Sequence, residues 1–345
     1  KIIIIIIIMH ITFLFFLSLF FVSSSYSNEL NLFTSRHYPS DLILFKKFEE
    51  KTGIKVNVIN AKSKVLEKRL LDEGSKSKGD VLFLADAGAL YSAEEKGLFA
   101  KYNESQSLKL VPASLKNDYW VGVTKRARII FYNPNLVNYN EIKNISYEDL
   151  SSKKWRKSIA IRQSNNIYNQ SLVASILEHK GEDFTREWLK KLVKNFSRKP
   201  QGNDRAQILS VAAGESKLAI ANTYYYALML SGKKGDDQKK AAQKVEPIFP
   251  NQNDRGAHIN ISGAGILSYS PNKKNAQEFL EFLLTKEAQT NLCNSSFEFP
   301  IIQNVSTNKL INNIKNFKED IYIDVSTYGK RQAQAFKLMK KAGWN

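Results

Sequence analysis

The chain has 345 residues, a formal net charge of +18 at pH 7 and one cysteine. A chain of this length can form one large domain or two ordinary domains that each bury a core, and we expect two. The single cysteine, Cys293, excludes an internal disulfide.

The first 27 residues differ in composition from the rest of the chain. Residues 2–8 are all isoleucine, and residues 11–22 are almost wholly apolar. Read from Met9, this run and the serines after it predict a secretory signal that is cleaved after Ser27, with residues 1–8 as upstream translation or a start-site error. An uncleaved anchor is the alternative, because the segment is long enough to span a bilayer. Secretion without disulfides favours the bacterial periplasm.

Residues 28–345 have a formal charge of +17, because Lys1 is the one charged residue before them. Attraction to nucleic acid, to an anionic membrane or to an anionic metal chelate is one interpretation. The lysines are spread through every segment of the sequence, which favours a compositional drift of the kind seen in AT-rich genomes. We therefore expect no nucleic-acid partner.

Strands and helices alternate in the first part of the chain. Strands are predicted at residues 30–35, 55–59 and 81–85, and helices at residues 39–52, 65–73 and 90–96. Pro39 opens the first helix and Gly53 ends it, since proline suits the first turn of a helix and glycine the position after the last turn. This alternation predicts parallel strands that are joined by helical crossovers.

A long β-rich run at residues 120–132 separates this part from a second set of strands and helices, and we expect it to cross between two lobes. The later predictions are strands at 158–161 and 217–221, helices at 170–179, 184–196 and 206–214, a lysine-rich loop at 232–244, a β-rich return at 258–269, and helices at 276–292 and 326–341.

The predicted fold is therefore α/β with two lobes, each a mainly parallel sheet flanked by helices. We assign residues 28–126 and 254–305 to the first lobe, and residues 127–253 and 306–345 to the second. Ligands are expected in the cleft between the lobes, at the carboxyl ends of the strands.

Three consecutive tyrosines follow the predicted strand at residues 217–221. Tyr224, Tyr225 and Tyr226 would lie on the first turn of a helix, with Asn222 or Thr223 as the N-cap. Unpaired N–H groups and the helix dipole favour a phenolate there, although a phenol with a pKa of about 10 still needs a strong cation to ionise at neutral pH. Simple aromatic packing is the alternative.

Two further tyrosines share this local setting. Tyr38 lies between a strand and the helix that begins at Pro39, and Tyr168 lies just before the helix at 170–179. Three strand-to-helix junctions thus offer tyrosine to one cleft, which favours a metal site over packing. Phenolates suit a hard trivalent cation such as Fe³⁺, whereas zinc and copper call for the cysteine and histidine that this chain has in small number.

Longer motifs surround these tyrosines. They are SRHY (35–38), KRAR (125–128) with YNP (132–134), SNNIYNQ (164–170), ANTYY (221–225) and HINISGAG (258–265). With these motifs, residues 29–345 resemble the periplasmic ferric-ion-binding proteins of bacterial iron ABC importers, especially the cyanobacterial type. These are transferrin-like substrate-binding proteins of the type II two-lobed fold.

The resemblance implies a function and a ligand set. Tyr38, Tyr168, Tyr224 and Tyr225 would bind one ferric ion, with a water completing the shell, while His37 ligates in some relatives. Tyr226 would be a neighbour of the site or a packing residue. The protein would be a monomer that takes up ferric ion or a ferric chelate and delivers it to a membrane permease with its ATPase. The lobes would close on the ion about a hinge.

Four phenolates around Fe³⁺ leave a net charge of −1, which needs a cationic partner when it is buried. We expect Arg36 or Arg128 to supply this partner. His258 is expected in the hinge or the core, and His179 on a solvated helix.

Two other classes of protein stay open. A binding protein of the same fold could take a small organic ion such as a polyamine or thiamine. Its aromatic box would favour tryptophan and carboxylates that face the cleft, whereas Trp155 and Trp188 lie in lysine-rich helical segments. A secreted hydrolase would need a nucleophile with a base. Ser231 and Lys234 have the spacing of a Ser-x-x-Lys motif, but a match this short is expected by chance. We therefore expect no enzyme.

Overall fold

The computed structural model describes residues 28–36 and 38–345. The predicted signal and His37 therefore lie outside the described residues. Within the described ranges, no helix combines the length and the apolar composition that a membrane crossing needs.

The described chain alternates strands and helices in the predicted order. The strands are β1 (Glu29–Thr34), β2 (Lys55–Asn60), β3 (Val81–Leu84), β4 (Val121–Tyr132), β5 (Ile159–Ala160), β6 (Leu218–Asn222), β7 (Glu246–Ile248), β8 (Ile259–Ile266) and β9 (Phe299–Pro300). The α-helices are α1 (Pro39–Thr52), α2 (Ser63–Glu73), α3 (Ala87–Glu95), α4 (Gln106–Lys109), α5 (Ile167–Val193), α6 (Asp204–Ala212), α7 (Thr223–Leu230), α8 (Asp236–Ala242), α9 (Lys273–Leu283), α10 (Lys286–Ser296), α11 (Lys309–Asn312) and α12 (Ser326–Lys341).

Local sequence explains why helix α1 begins and ends where it does. Pro39 stands in the first turn, where no backbone N–H is needed, and Gly53 adopts φ 73° after the last turn. The Gly53 N–H donates to the Glu49 carbonyl at 2.8 Å and so closes the helix. Phe45 and Phe48 are buried from this helix, and each such side chain stabilises the fold by roughly 1.5–3 kcal/mol.

The strands form one mixed sheet in the order β2-β1-β3-β8-β4-β6-β5, with β7 and β9 also paired to β4. Strand β1 is parallel to β2 and β3, and β5 is parallel to β6, as the helical crossovers predict. Strands β8 and β4 run antiparallel to their neighbours, because the chain leaves the first half of the sheet along β4 and returns to it along β8. The result is the two-lobed α/β architecture of type II periplasmic binding proteins.

Strand β4 joins the two parts of the sheet. Its first part, up to Ala127, pairs with β8 and β9, whereas its last part, from Arg128 to Tyr132, pairs with β6 and β7. The long β-rich run of the sequence is thus a single strand shared by two sets of partners.

The C-terminal helix α12 packs against α5 of the second set and also against α3 of the first set. Gly329 makes the second contact possible, because a Cβ at this position would lie 2.4 Å from the Cβ of Tyr91. Glycine is required here by the close approach of the two helices rather than by a positive φ. Helix α12 therefore contacts one helix that precedes β4 in the chain and one that follows it.

Three local predictions differ from the structure. The predicted loop at 232–244 contains helix α8, which Asp236 and Asp237 favour from its first turn. The predicted helix at 276–292 is divided into α9 and α10, because Thr285 caps a new start by accepting a hydrogen bond from the Ala288 N–H. The helices predicted at 170–179 and 184–196 form one element with a break at Gly181, whose φ is 77°.

Candidate metal site

The predicted tyrosines all lie at strand-to-helix junctions. Tyr224 and Tyr225 are in the first turn of α7, directly after β6, and Tyr168 is in the first turn of α5. Tyr38 is the N-cap residue of α1 and has extended backbone angles. Each phenol therefore projects from a place where the helix N–H groups are unpaired and the dipole favours negative charge.

The four tyrosines line a single cleft of about 530 Å³. The hydroxyl oxygens of Tyr224 and Tyr168 are 3.3 Å apart, although they come from different helices. The rings of Tyr224 and Tyr225 lie 4.2 Å apart between centroids. The structure thus brings together the four phenols that the sequence singled out.

Burial raises the pKa of three of these phenols. The pKa of Tyr224 lies well above its usual value because of burial, and next because of the neighbouring Tyr168 and Tyr225. Burial also raises the pKa of Tyr225. The pKa of Tyr38 is raised first by burial and then by the carboxylate of Glu298, while Arg36 lowers it. A cation that binds here must therefore displace protons from neutral phenols.

Arg36 stands beside Tyr38, with its guanidinium carbon 4.9 Å from the centre of the ring. It is buried, and it donates hydrogen bonds to Asp41 and Glu298 at 2.8 Å each. Two carboxylates therefore already balance this guanidinium, and little of its charge remains for a phenolate.

Arg128 does not line the cleft but lies behind it. Its Nη1 donates to Asp204 at 3.0 Å and to the side-chain oxygen of Asn222 at 2.9 Å, and its Nη2 donates to Asn169 at 2.6 Å. Asn222 is the N-cap residue of α7, and Asn169 follows Tyr168 in α5. Arg128 therefore ties together the starts of the two helices that carry three of the tyrosines.

Two other arginines, which sequence reasoning did not single out, stack on Tyr168. The guanidinium carbons of Arg126 and Arg162 each lie 5.6 Å from the centre of its ring. Arg126 is buried and Arg162 is partly exposed. Alternation along β4 could have identified Arg126, because residues two apart in a strand share a face and Arg128 was already a candidate.

The cleft also contains one buried carboxylate, that of Glu298, which sequence reasoning missed as well. Glu298 accepts hydrogen bonds from Arg36 and from Thr124 at 2.7 Å. Burial alone would raise its pKa, but Arg36 and Arg126 hold the pKa below the usual value, so this carboxylate stays ionised. Its position after helix α10, far along the chain from Tyr38, gives no local sequence signal.

Arg205, Lys233 and Lys234 also line this cleft. The ammonium group of Lys233 lies 5.0 Å from the centre of the Phe297 ring, so residues from two distant parts of the chain meet at the wall of the cleft. The lining is thus rich in cations, which favours an anionic guest or a metal whose ligands carry excess negative charge.

Tyr226 points away from the other tyrosines. Its hydroxyl donates to the Val245 carbonyl at 3.1 Å, and its ring packs 5.1 Å from that of Phe131. This arrangement is the packing role that the sequence left open.

The two histidines that the structure describes lie outside the cleft lining. His258 is buried in the region of β8, and burial holds its pKa well below the usual value. His179 was expected on a solvated helix, but it lies 2.7 Å from the carboxylate of Asp320 and is only partly exposed, which corrects that prediction. Across residues 28–36 and 38–345, no group of three or more His, Cys, Asp and Glu could hold a metal ion.

The residues considered for an organic-ion binding protein or a hydrolase do not form the sites that those functions need. Trp155 and Trp188 are buried in a hydrophobic core with residues of β5, β6 and α5, and neither lines the cleft. The hydroxyl of Ser231 donates to the Leu228 carbonyl at 2.7 Å. These tryptophans therefore do not form an aromatic box in the cleft, and this serine is not placed as a nucleophile.

Comparison with known proteins agrees with this architecture. Residues 77–318 match the family described as bacterial extracellular solute-binding protein. Iron uptake protein A1 of Synechocystis sp. is 42% identical over 92% of this chain and 87% of its own length. The structure resembles that of Trichodesmium IdiA (FutA) in complex with iron and citrate ligands, with 43% identity, a TM-score of 0.88 and coverage of 92% of this chain and 100% of that one. A ferric binding protein from Campylobacter jejuni gives 39% identity, a TM-score of 0.84 and the same coverage. The chain therefore belongs to the family of bacterial extracellular solute-binding proteins.

Proposed function

We propose that this chain binds one ferric ion in the cleft between its lobes and delivers it to the membrane permease of an ABC importer. It is a binding protein for transport, not an enzyme. The iron uptake protein of Synechocystis and the iron-bound protein of Trichodesmium support iron as the cargo, and the ferric binding protein of Campylobacter jejuni supports its ferric state.

The observation that carries the proposal is the convergence of phenols. Tyr168 and Tyr224 bring their hydroxyl oxygens to within 3.3 Å, and Tyr38 and Tyr225 line the same cleft. Phenols that are buried this close together do not ionise readily without a cation, because their phenolates would be desolvated and would repel one another. A trivalent cation stabilises such phenolates more strongly than a cation of lower charge, and it replaces their protons when it binds. In this proposal the four phenolates are the ligands, and His37 or a water completes the shell.

The charge of the loaded site also has a partner in this proposal. Four phenolates around Fe³⁺ leave one negative charge, and the guanidinium groups of Arg126 and Arg162 lie over the ring of Tyr168. We assign the countercharge to these two arginines. Arg126 and Arg162 also form ion pairs, with Asp86 and Glu298 and with Asp204, but these are longer, at 3.3–3.9 Å, than the two 2.8 Å pairs of Arg36. Arg36 is therefore the weaker candidate, and Arg128 holds the helix starts in position.

The lobes would close on the ion and open to release it. We assign residues 28–126 and 254–305 to one lobe and residues 127–253 and 306–345 to the other. The division of β4 between two sets of partners supports this assignment. Tyr38 then comes from the first lobe and the other three ligands from the second, so the complete site exists only when the lobes are closed.

The family and the ferric-iron relatives imply a periplasmic protein that works with a permease and an ATPase. We propose that the chain reaches the periplasm through a cleaved N-terminal signal and acts there as a monomer. The cleft is larger than a single ion requires, so a ferric chelate could enter as well as the free ion.

Ferric titration of the purified region 28–345 tests the ligand set. Bound phenolates give a visible charge-transfer band, and we expect the variant Tyr224→Phe/Tyr225→Phe to lose the band and the tight binding. Tyr226→Phe is the matched control, because it makes the same change on the same helix at a hydroxyl that binds a backbone carbonyl. Retention of the band and the affinity by the double variant would refute the site.

A further inference from the structure

The positive charge of the protein is concentrated in one lobe. Residues 127–253 and 306–345 carry 29 Lys and Arg against 15 Asp and Glu, whereas residues 28–126 and 254–305 carry 21 against 18. A compositional drift acting on the whole gene would enrich both lobes alike. The second lobe instead holds +14 of the net charge of +17, although its lysines look dispersed in the sequence.

Three segments of this lobe meet at the amino ends of β5 and β6. The N–H groups of Ser158 and Ile159 donate to the Asn195 carbonyl at 2.9 Å, and the Lys217 N–H donates to the Ser158 carbonyl at 2.9 Å. The turn at 153–157, the end of α5 and the residue before β6 are therefore neighbours. We call their six exposed cations the basal patch, which comprises Lys153, Arg156, Lys157, Lys191, Lys194 and Lys217.

Three carboxylates near the basal patch form ion pairs with cations outside the patch. Glu141 pairs with Lys154 at 2.9 Å, and Glu187 pairs with Lys190 at 2.8 Å. Glu215 lies 3.3 Å from Arg198. No residue in the described ranges forms an ion pair with any of the six patch cations, so their charge faces the solvent.

The basal patch lies at the end of the lobe opposite to the tyrosines. Tyr168 and Tyr224 follow the carboxyl ends of β5 and β6, whereas the patch precedes the amino ends of the same strands. A partner bound to the patch would therefore leave the metal cleft open.

We propose that the basal patch docks the protein on the anionic phospholipid surface of the membrane that holds its permease. The three segments contribute no exposed large apolar side chain, whereas the centre of a stable protein interface is usually apolar. Attraction to an anionic bilayer needs only clustered cations within about 8 Å of the surface at physiological salt. Docking confines the search for the permease to two dimensions.

Vesicle sedimentation of the metal-free protein tests this docking. We expect binding to phosphatidylcholine vesicles that contain phosphatidylglycerol, no binding to phosphatidylcholine alone, and release on addition of NaCl. Changing all six patch residues to Gln should weaken binding by more than about a hundredfold, since each cation near an anionic bilayer contributes about fivefold.

A variant with the same charge change on the first lobe is the control. It changes six exposed lysines of that lobe to Gln, namely Lys62, Lys64, Lys76, Lys78, Lys273 and Lys274. We expect this variant to keep vesicle binding and both variants to keep the ferric charge-transfer band. Equal loss of vesicle binding in the two variants, persistence of binding in the patch variant, or no binding by the unaltered protein would each overturn the proposal. An acidic protein partner would give the last of these results.

Discussion

Arg128 offers a sharp test of how the site is built, because it touches no ligand oxygen and yet joins the helices that carry the ligands. Replacing it by Met removes the hydrogen bonds to Asp204, Asn222 and Asn169. Removing one partner of a buried ion pair costs about 3–5 kcal/mol. Asp204 keeps Arg162 at 3.3 Å and the Asn222 N–H at 2.7 Å, so we expect a loss near the lower end, about 3 kcal/mol.

Urea unfolding followed by tryptophan fluorescence measures this loss. Arg186→Met is the matched control, because Arg186 pairs only with exposed carboxylates on the surface of α5 and should give no resolvable change. We also expect Arg128→Met to weaken ferric binding while the charge-transfer band persists. A destabilisation below about 1 kcal/mol would refute the reasoning, because breaking a buried ion pair is expected to lower the free energy of unfolding by more than this.

A double variant separates the lost contacts from the stranded charge. In Arg128→Met/Asp204→Leu the carboxylate that Arg128 neutralised is also absent. The double variant should therefore lose less stability than the sum of the two single variants. Additive losses would mean that the two side chains act independently.

Three further results are expected. Ferric affinity should fall in acid, because burial raises the pKa of Tyr224 and protons then compete with the metal. Chelator competition at two pH values measures this affinity, and equal affinities would contradict the prediction. Glu298→Gln should lower the pKa of Tyr38 and extend ferric binding to lower pH, which the same assay would detect; an unchanged acid limit would argue against this coupling. Gly329→Ala should destabilise the fold by about 1–3 kcal/mol in urea, because the new methyl group meets Tyr91; unchanged stability would mean that the helices separate freely.

The placement of the tyrosines could be predicted from the sequence for a simple physical reason. Parallel strands joined by helices end at the same edge of the sheet, so side chains at the start of the following helices lie close together. Tyr168 and Tyr224 meet because of this rule, although they are far apart in the chain.

The electrostatic surroundings of the tyrosines could not be predicted in the same way. Arg36 and Glu298 are separated by 262 positions, and no periodicity connects them. Arg128 was expected as a countercharge, but its partner Asn222 is brought to it by pairing of β4 with β6, and its partner Asn169 comes from the first turn of α5. The basal patch could not be predicted for a related reason, because its six cations come together only when three segments of the chain fold against one another. His37 lies outside the described residues, and its role as a ligand stays a prediction.

Strand β4 has a consequence for the release of the cargo. Arg126 belongs to the part of β4 that pairs with β8, yet its guanidinium lies over Tyr168, in the first turn of a helix that we assign to the other lobe. Any rotation of the lobes about the junction between Ala127 and Arg128 would carry this cation away from the phenol as the cleft opens. The phenolate would then lose a stabilising neighbour at the moment when water and protons gain access, so that opening itself would weaken the hold on the ion.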